Sequence, residues 1–298
     1  MEKHAYLIIA HHQLELLKKL LALLDDRRND IYIHLGKNMW DDKDILQDTV
    51  KESALYFVSP MQVNWGGYSQ IECELRLFSE ASKRKYSYYH LLSGVDLPLK
   101  TQDEIHDFFQ KHNGKEFIYF CPQSFCRKSL FKCAQYHFLQ EKIGRRQKGI
   151  LYLIEKVLLT VQKKLRISRL KENIEYAMGA NWVSITHELV CYILDKQKDI
   201  YEMFHATLCC DEFFIQTLVW NSPYFKARVF SLEDDYFACL RLIDWSRGKP
   251  YIWRKSDYEQ LIRAPHLFAR KFDEETDSEI IDCIYDFVGK DKIKGDGI

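Results

Sequence analysis

Two adjacent carboxylates, Asp211 and Glu212, stand between the vicinal thiols Cys209-Cys210 and the apolar run Phe213-Phe214-Ile215. A carboxylate among apolar neighbours at a helix start can be held in place and its basicity tuned by burial and by the helix dipole. In a group transfer to a hydroxyl one such carboxylate suffices, because it takes the proton as the new bond forms. The same pair could equally cap a helix. Its company points to chemistry. Trp65-Gly66-Gly67-Tyr68-Ser69 lies upstream, and Leu92-Ser93-Gly94-Val95-Asp96-Leu97-Pro98-Leu99-Lys100 follows it. The segment from His266 to Asp273 carries the cations Arg270 and Lys271. Paired glycines let backbone come close to a ligand, or close a tight turn behind a buried tryptophan. Trp182 and Trp245 present ring faces that suit the CH-rich face of a sugar, with core packing as the rival role. Asp96 orients a ligand or holds its own turn. No constellation supports a cysteine nucleophile, and Cys209 and Cys210 read as core or pocket wall.

The elements that position these residues follow from periodicity. Ala5–Ala10, Asp30–Leu35, Ala54–Val58, Tyr88–Leu92, Glu116–Phe120 and Asn181–Ile185 read as strands. Leu14–Leu24, Ser69–Ala81, Gln102–Lys111, His187–Leu194, Asp211–Val219 and Asp257–Arg263 read as helices, the last capped by Ser256. The opening βαβ rhythm predicts an α/β fold with a mostly parallel central sheet. Between about 127 and 172 the composition changes. Arg145, Arg146, Lys148, Lys156, Lys163, Lys164, Arg166 and Arg169 flank Ile150-Leu151-Tyr152-Leu153-Ile154 and Val157-Leu158-Leu159. This is a basic amphipathic helical insertion. It reads either as a helix resting on anionic lipid or as a solvated helix pair with its apolar side in the core. Residues 1–288 are expected to form one domain, with a charged, frayed tail over 289–298.

The bulk numbers set limits. With 298 residues, 47% hydrophobic and 14% aromatic, the chain can bury a large core. Lys plus Arg and Asp plus Glu are both 43, so no global nucleic-acid footprint exists. Nine cysteines without metal-type spacing read as reduced thiols of a cytosolic protein. No signal peptide and no stretch of roughly 18 apolar residues is present, so the expected location is the cytoplasm, with peripheral contact at the inner face of the plasma membrane.

Taken in order, the segments Ile31–Lys37, Trp65–Ser69, Tyr89–Thr101, Gly179–Thr186, Asp211–Thr217 and Leu240–Asp273 resemble a bacterial member of the core-2/I-branching β-1,6-N-acetylglucosaminyltransferase family, which also includes the peptide O-xylosyltransferases. The resemblance implies a GT-A-type nucleotide-sugar fold, inversion at the anomeric carbon, and no need for a divalent metal or other cofactor. It makes Glu212 the general base. It places Arg241 and Lys271, with Arg270 beside the latter, on the donor diphosphate, where cations offset the charge of the leaving group. Ala10, His11, His34 and Gly36 would line the nucleoside pocket at the carboxyl ends of the first strands. Where the family carries an aspartate, this chain has Gly36, so Asp41 or Asp42 would have to compensate. Trp65, Gly66, Gly67 and Asp96 fall on the donor-sugar side, and Asp211, Trp182 and Trp245 on the acceptor side. The implied donor is UDP-N-acetylglucosamine, then UDP-xylose or UDP-galactose, and the acceptor a glycan, free or lipid-linked. A metal-dependent variant would use Asp42-Lys43-Asp44 or Glu233-Asp234-Asp235. A non-catalytic sugar- or membrane-binding relative is the reading from another class.

Overall fold

The computed structural model describes residues 3–144 and 148–293. Its centre is a five-stranded sheet in the order β3-β2-β1-β4-β6. The strands are β1 (His4–Ala10), β2 (Asn29–Leu35), β3 (Ala54–Val58), β4 (Tyr88–Ser93) and, after a three-residue strand β5 (Asp96–Pro98) outside this sheet, β6 (Ser184–Thr186). The first four run parallel and β6 runs antiparallel to β4. β1, β2 and β4 are buried almost end to end, so helices must cover both faces. Leu14–Leu24 covers one face with Leu16, Leu17, Leu20, Leu21 and Leu24, in a cluster shared with Trp253 and Phe268. Ser69–Ser82 and His187–Asp195 cover the other, with Ile71, Phe78, Leu189 and Ile193. The α/β class with a mostly parallel sheet is therefore as expected.

β1 pairs with β2 on one side and with β4 on the other, so the chain order reverses there. Ligands in open α/β sheets lie beyond the carboxyl ends of the strands at such a point. A second, three-stranded sheet is set at this end, in the order β5-β8-β7, with β7 at Arg241–Ile243 and β8 at Phe268–Arg270. β5 runs antiparallel to β8, and β7 parallel to it.

Several expectations need correction. Glu116–Phe120 is not a strand: it makes only isolated bridges, Glu116 with Val229 and Phe117 with Ser184. Asp211 and Glu212 lie in a one-turn 3-10 helix, Cys210–Glu212, ahead of the helix Phe214–Trp220. Ser256 is not a cap; Asp257 accepts the Arg254 N–H instead, at 3.0 Å. The end of the chain is not frayed at Gly289, because the helix Ser278–Ile293 runs through it, and residues 294–298 lie outside the described residues. The basic segment is helical over Ile150–Lys164, with shorter helices at Phe131–Ala134 and Gln140–Ile143; Arg145 and Arg146 lie outside the described residues.

Candidate active site

Backbone pairing fixes the carboxylate turn from three sides. Cys209 takes a left-handed conformation and donates its N–H to the Gly66 carbonyl at 2.9 Å. The Glu212 carbonyl accepts the Gly179 N–H at 2.9 Å. Leu208 donates to the carbonyl of Lys132 at 3.0 Å, which brings the insertion alongside. Within the turn the two carboxylates part company. Asp211 is buried; one oxygen accepts from Gln70 at 3.0 Å and the other has no partner. Burial, and then the neighbouring Glu212 charge, push its carboxyl up to about 7. The Glu212 side chain keeps 34% of its surface exposed, and its Oε2 accepts from Lys132 Nζ at 3.0 Å. Burial, the largest single influence, lowers the Lys132 ammonium, but the charge and hydrogen bond of Glu212 together with Cys209 and Asp211 outweigh it and the net shift is upward. Deeper still, Glu74 on Ser69–Ser82 is fully buried, and burial followed by the charge of Asp211 pushes its carboxyl well up.

Around Glu212 stand Cys121, Cys209 and Tyr236. Burial pushes the Cys121 and Cys209 thiols up to about 12, which leaves neither as a thiolate nucleophile at neutral pH. Tyr236 stacks on Tyr119 with ring centres 4.2 Å apart. Its phenol is raised chiefly by burial, with Cys239, a hydrogen bond with Trp245 and the charge of Glu212 also acting on it. Half-exposed Trp245 is thereby tied to the wall of the Glu212 site.

Trp65-Gly66-Gly67 supports this turn from below. Gly66 has φ 74°, a conformation that costs glycine nothing, and its N–H is taken by Gln70. Gln140 of the insertion donates to the Trp65 carbonyl at 2.9 Å. The next residue, Glu141, accepts from Ser69 N and Oγ, both at 2.8 Å, and so caps Ser69–Ser82 where its own N-cap residue makes no side-chain bond. Gly67 packs directly against this carboxylate. These glycines thus seat the insertion against the carboxylate turn.

The cationic end is built on the small sheet. Asp96 and Arg270 face each other across β5 and β8. Asp96 is fully buried; it accepts from Ser93 N at 2.9 Å, Ser93 Oγ at 2.7 Å and Arg270 at 2.9 Å. It therefore holds its turn and the arginine. The Arg270 guanidinium, also bonded to Ser93, stacks on Trp182 at 4.3 Å. Trp182 lies three residues beyond Gly179, so one short segment links the cationic end to Glu212. Lys271 is partly exposed, between the Phe272 N–H bonded to Val95 and the Gln13–Asp273 contact over the end of β1. Arg241 is not presented there. It is fully buried on β7, where it donates to Ser184 Oγ and to the carbonyls of Cys239, Leu91 and Val183 at 2.5–3.1 Å and lies over Phe268. Its guanidinium bolts the two sheets together.

The nucleoside candidates gather at the ends of β1 and β2. Gly36 donates to the Ala10 carbonyl at 2.7 Å, and Asn38 to the His11 carbonyl at 2.8 Å. A Cβ at Gly36 would meet His11 Cβ at 2.9 Å and Asn38 Oδ1 at 2.8 Å, so this backbone has no room for an aspartate. His34 is buried and turned to the loop after β3, accepting the Met61 N–H at 3.1 Å; burial lowers its pKa. Asp41 and Asp44 are exposed beyond β2, and Asp235 caps its own 3-10 turn through Phe237 N at 2.9 Å. Two clefts, of ≈ 420 and ≈ 680 Å³, lie beside Leu242, Glu259 and His266 and beside Tyr32, Tyr56 and Arg84, and none of the candidate residues lines either one.

The model of one protein family, described as Core-2/I-Branching enzyme, matches residues 4–261. The chain belongs to that family. Among curated relatives, a xylosyltransferase of Ciona intestinalis is 24% identical over 93% of this chain and 33% of its own length. Xylosyltransferase 2 of Rattus norvegicus is 22% identical over 94% of this chain and 33% of its own. A beta-1,3-galactosyl-O-glycosyl-glycoprotein beta-1,6-N-acetylglucosaminyltransferase 4 of Danio rerio is 22% identical over 94% and 68%. The chain thus spans about a third of the length of the xylosyltransferases it matches. Mouse xyloside xylosyltransferase 1, in its apo form, superposes with a TM-score of 0.38 at 11% identity, over 90% of this chain and 97% of that one.

Sequence reasoning within this family missed Lys132, Glu141, Gln70 and Tyr236. None lies in a motif, and three of the four reach the carboxylate turn or its wall from distant segments. Only the repeated change of composition after about residue 127 marked where two of them would come from.

Proposed function

We propose that the chain is an inverting, metal-independent glycosyltransferase that moves a sugar from a UDP-sugar to a glycan hydroxyl. The observation that carries this reading is the division of labour between Asp211 and Glu212. One carboxylate is buried and spent on Gln70; the other reaches solvent beside an ammonium. Glu212 then takes the proton of the acceptor hydroxyl as the hydroxyl oxygen attacks the anomeric carbon from the side opposite the diphosphate and the bond from that carbon to the diphosphate breaks. Lys132 fixes the orientation of that carboxylate. Lys271, with Arg270 beside it, offsets the charge that grows on the leaving diphosphate. Arg241 serves them from beneath by holding β7 to the central sheet. Trp182 and Trp245 flank the space for the sugar rings. The family match and the zebrafish relative favour N-acetylglucosamine as the group moved. The xylosyltransferase relatives favour xylose as a second reading.

The test is a donor screen. UDP-N-acetylglucosamine, UDP-xylose and UDP-galactose are each incubated with the protein and a panel of glycan acceptors, and UDP release is followed with EDTA and with manganese. One donor should be consumed in an acceptor-dependent manner and equally well in EDTA. Loss of turnover in EDTA with rescue by manganese would defeat metal independence, and no turnover with any donor would defeat the transfer reading.

A further inference from the structure

The helix Ile150–Lys164 is packed inside out. Its buried residues are Glu155 and Gln162, two polar side chains seven residues apart and hence on one face. Gln162 exchanges hydrogen bonds with the Tyr136 backbone at 2.8 and 2.9 Å, and Glu155 accepts the Leu139 N–H at 3.2 Å. Most of the apolar residues point the other way. Ile150, Leu153, Ile154, Val157, Val161 and Leu165 recur at helical spacing and are 42–70% exposed. A scatter of single exposed apolar residues is ordinary, but a continuous row on one helix marks a face made to be covered.

Charge says what covers it. Between Lys148 and Lys171 the sequence has seven Lys or Arg and a single carboxylate, Glu155, which is turned inward. Lys148, Lys156, Lys163, Lys164 and Arg166 are all exposed. A second copy of the chain laid on this face would bring like charges together. An anionic lipid surface would take the apolar row into its acyl boundary and the flanking ammonium groups against its headgroups. Among the described residues no helix is long and apolar enough to cross a membrane, so the helix would lie in the surface plane. We propose that Ile150–Lys164 is a docking face for an anionic lipid bilayer. The same insertion supplies Lys132 to the carboxylate turn and Glu141 to the start of Ser69–Ser82, so docking and the site share one structural unit.

The test needs neither donor nor acceptor, so its outcome is independent of the transfer reading. The full chain is floated with phosphatidylcholine vesicles, with and without phosphatidylglycerol, at low and high salt. Wild type should rise with the anionic vesicles and lose binding as salt increases. Reversing Lys148, Lys163 and Lys164 to Glu should lower partitioning by roughly a hundredfold, at about fivefold per basic residue. Val157→Asp with Val161→Asp should abolish it, both with unchanged melting temperature because all five side chains are exposed. Absence of flotation with anionic vesicles at low salt would overturn the proposal. So would a dimer in light scattering that Val157→Asp disrupts, since the face would then belong to a second copy.

Discussion

The carboxylate turn and the β5-β8-β7 ladder sit at the same end of the central sheet and are made by opposite means. In the ladder, strand register itself sets Asp96 opposite Arg270, and the pair is completed by Ser93, three residues before Asp96 at the end of β4. The two segments lie 174 residues apart, yet once they pair the backbone ladder alone sets that geometry. At the carboxylate turn the local bonds from Glu212 N–H to Cys209 and from Phe213 N–H to Cys210 shape only the backbone, and distant segments position the side chains. Glu212 is oriented by Lys132, its backbone by Gly179 and Gly66, and Asp211 by Gln70. A base must stay reachable by its substrate, so it cannot be locked into a ladder, and surrounding segments must hold it instead. On the proposed reading, a cation meant for a diphosphate can rest on a rigid strand, because its own long side chain supplies the reach.

The comparison can be broken at its strongest point first. Arg241→Met takes a donor from a hydroxyl and three carbonyls beneath the ladder; Ser184 Oγ keeps His90 and the Val183 carbonyl keeps the Leu91 N–H. Buried acceptors left unmet cost about 1–3 kcal/mol each, partly relieved by relaxation. The expected loss is on the order of 3–5 kcal/mol in urea unfolding, with UDP affinity unchanged in the folded fraction. A stable Arg241→Met protein with weakened UDP binding would move Arg241 from scaffold to ligand contact. Next, Lys271→Ala should weaken UDP by roughly 1.5–3 kcal/mol and leave uridine nearly untouched, as calorimetry with both ligands can read. Equal losses would make Lys271 a packing residue. At the turn, Lys132→Met should slow turnover about tenfold while UDP affinity holds, the scale of a lost orienting charge pair.

The smallest effect concerns the sheet beneath both regions. Buried His4 and His90 form a cluster with half-buried His106: His90 Nε2 lies 3.1 Å from His4 Nδ1, and His4 stacks on His106 at 4.1 Å. Burial, foremost, lowers all three, His106 to about 4. A histidine whose folded pKa lies below its unfolded value near 6.5 binds fewer protons folded than unfolded between those values. Stability should therefore be full above about 6.5 and fall as pH drops toward about 4. His106→Gln should flatten that acid slope by about 1 kcal/mol in chemical denaturation at the two pH values. An unchanged slope would show that carboxylates dominate it.

The same comparison explains what the sequence made legible. β1, β2 and β4 were readable to within a residue or so because strands buried on both faces are largely apolar runs, and the half-buried edge strand β3 was readable from its short apolar run. β5, β7 and β8 are three residues each, too short for any period to show, so the ladder was seen only as a motif around Asp96 and Arg270. Arg241 had the right chemistry for a phosphate and the wrong depth, and depth is a tertiary property. Glu212 and Asp211 were legible as a pair; their separation into an exposed and a buried carboxylate required Gln70 and Lys132, which lie 141 and 80 residues away. In Ile150–Lys164 the amphipathic pattern was plain, but whether its apolar side faced the core was undecided until Glu155 and Gln162 were found facing inward. Gly36 read as a missing aspartate, whereas His11 and Asn38 occupy the space that side chain would need.

The central claim, that the solvent-facing member of the carboxylate pair is the base, rests on one side-by-side measurement: kcat and UDP affinity for Glu212→Gln and Asp211→Asn on the donor identified by the screen. Glu212→Gln should lose about 10²–10⁴ in kcat with UDP affinity intact, and Asp211→Asn should retain most of its turnover. Near wild-type turnover by Glu212→Gln, with the loss appearing in Asp211→Asn instead, would contradict it.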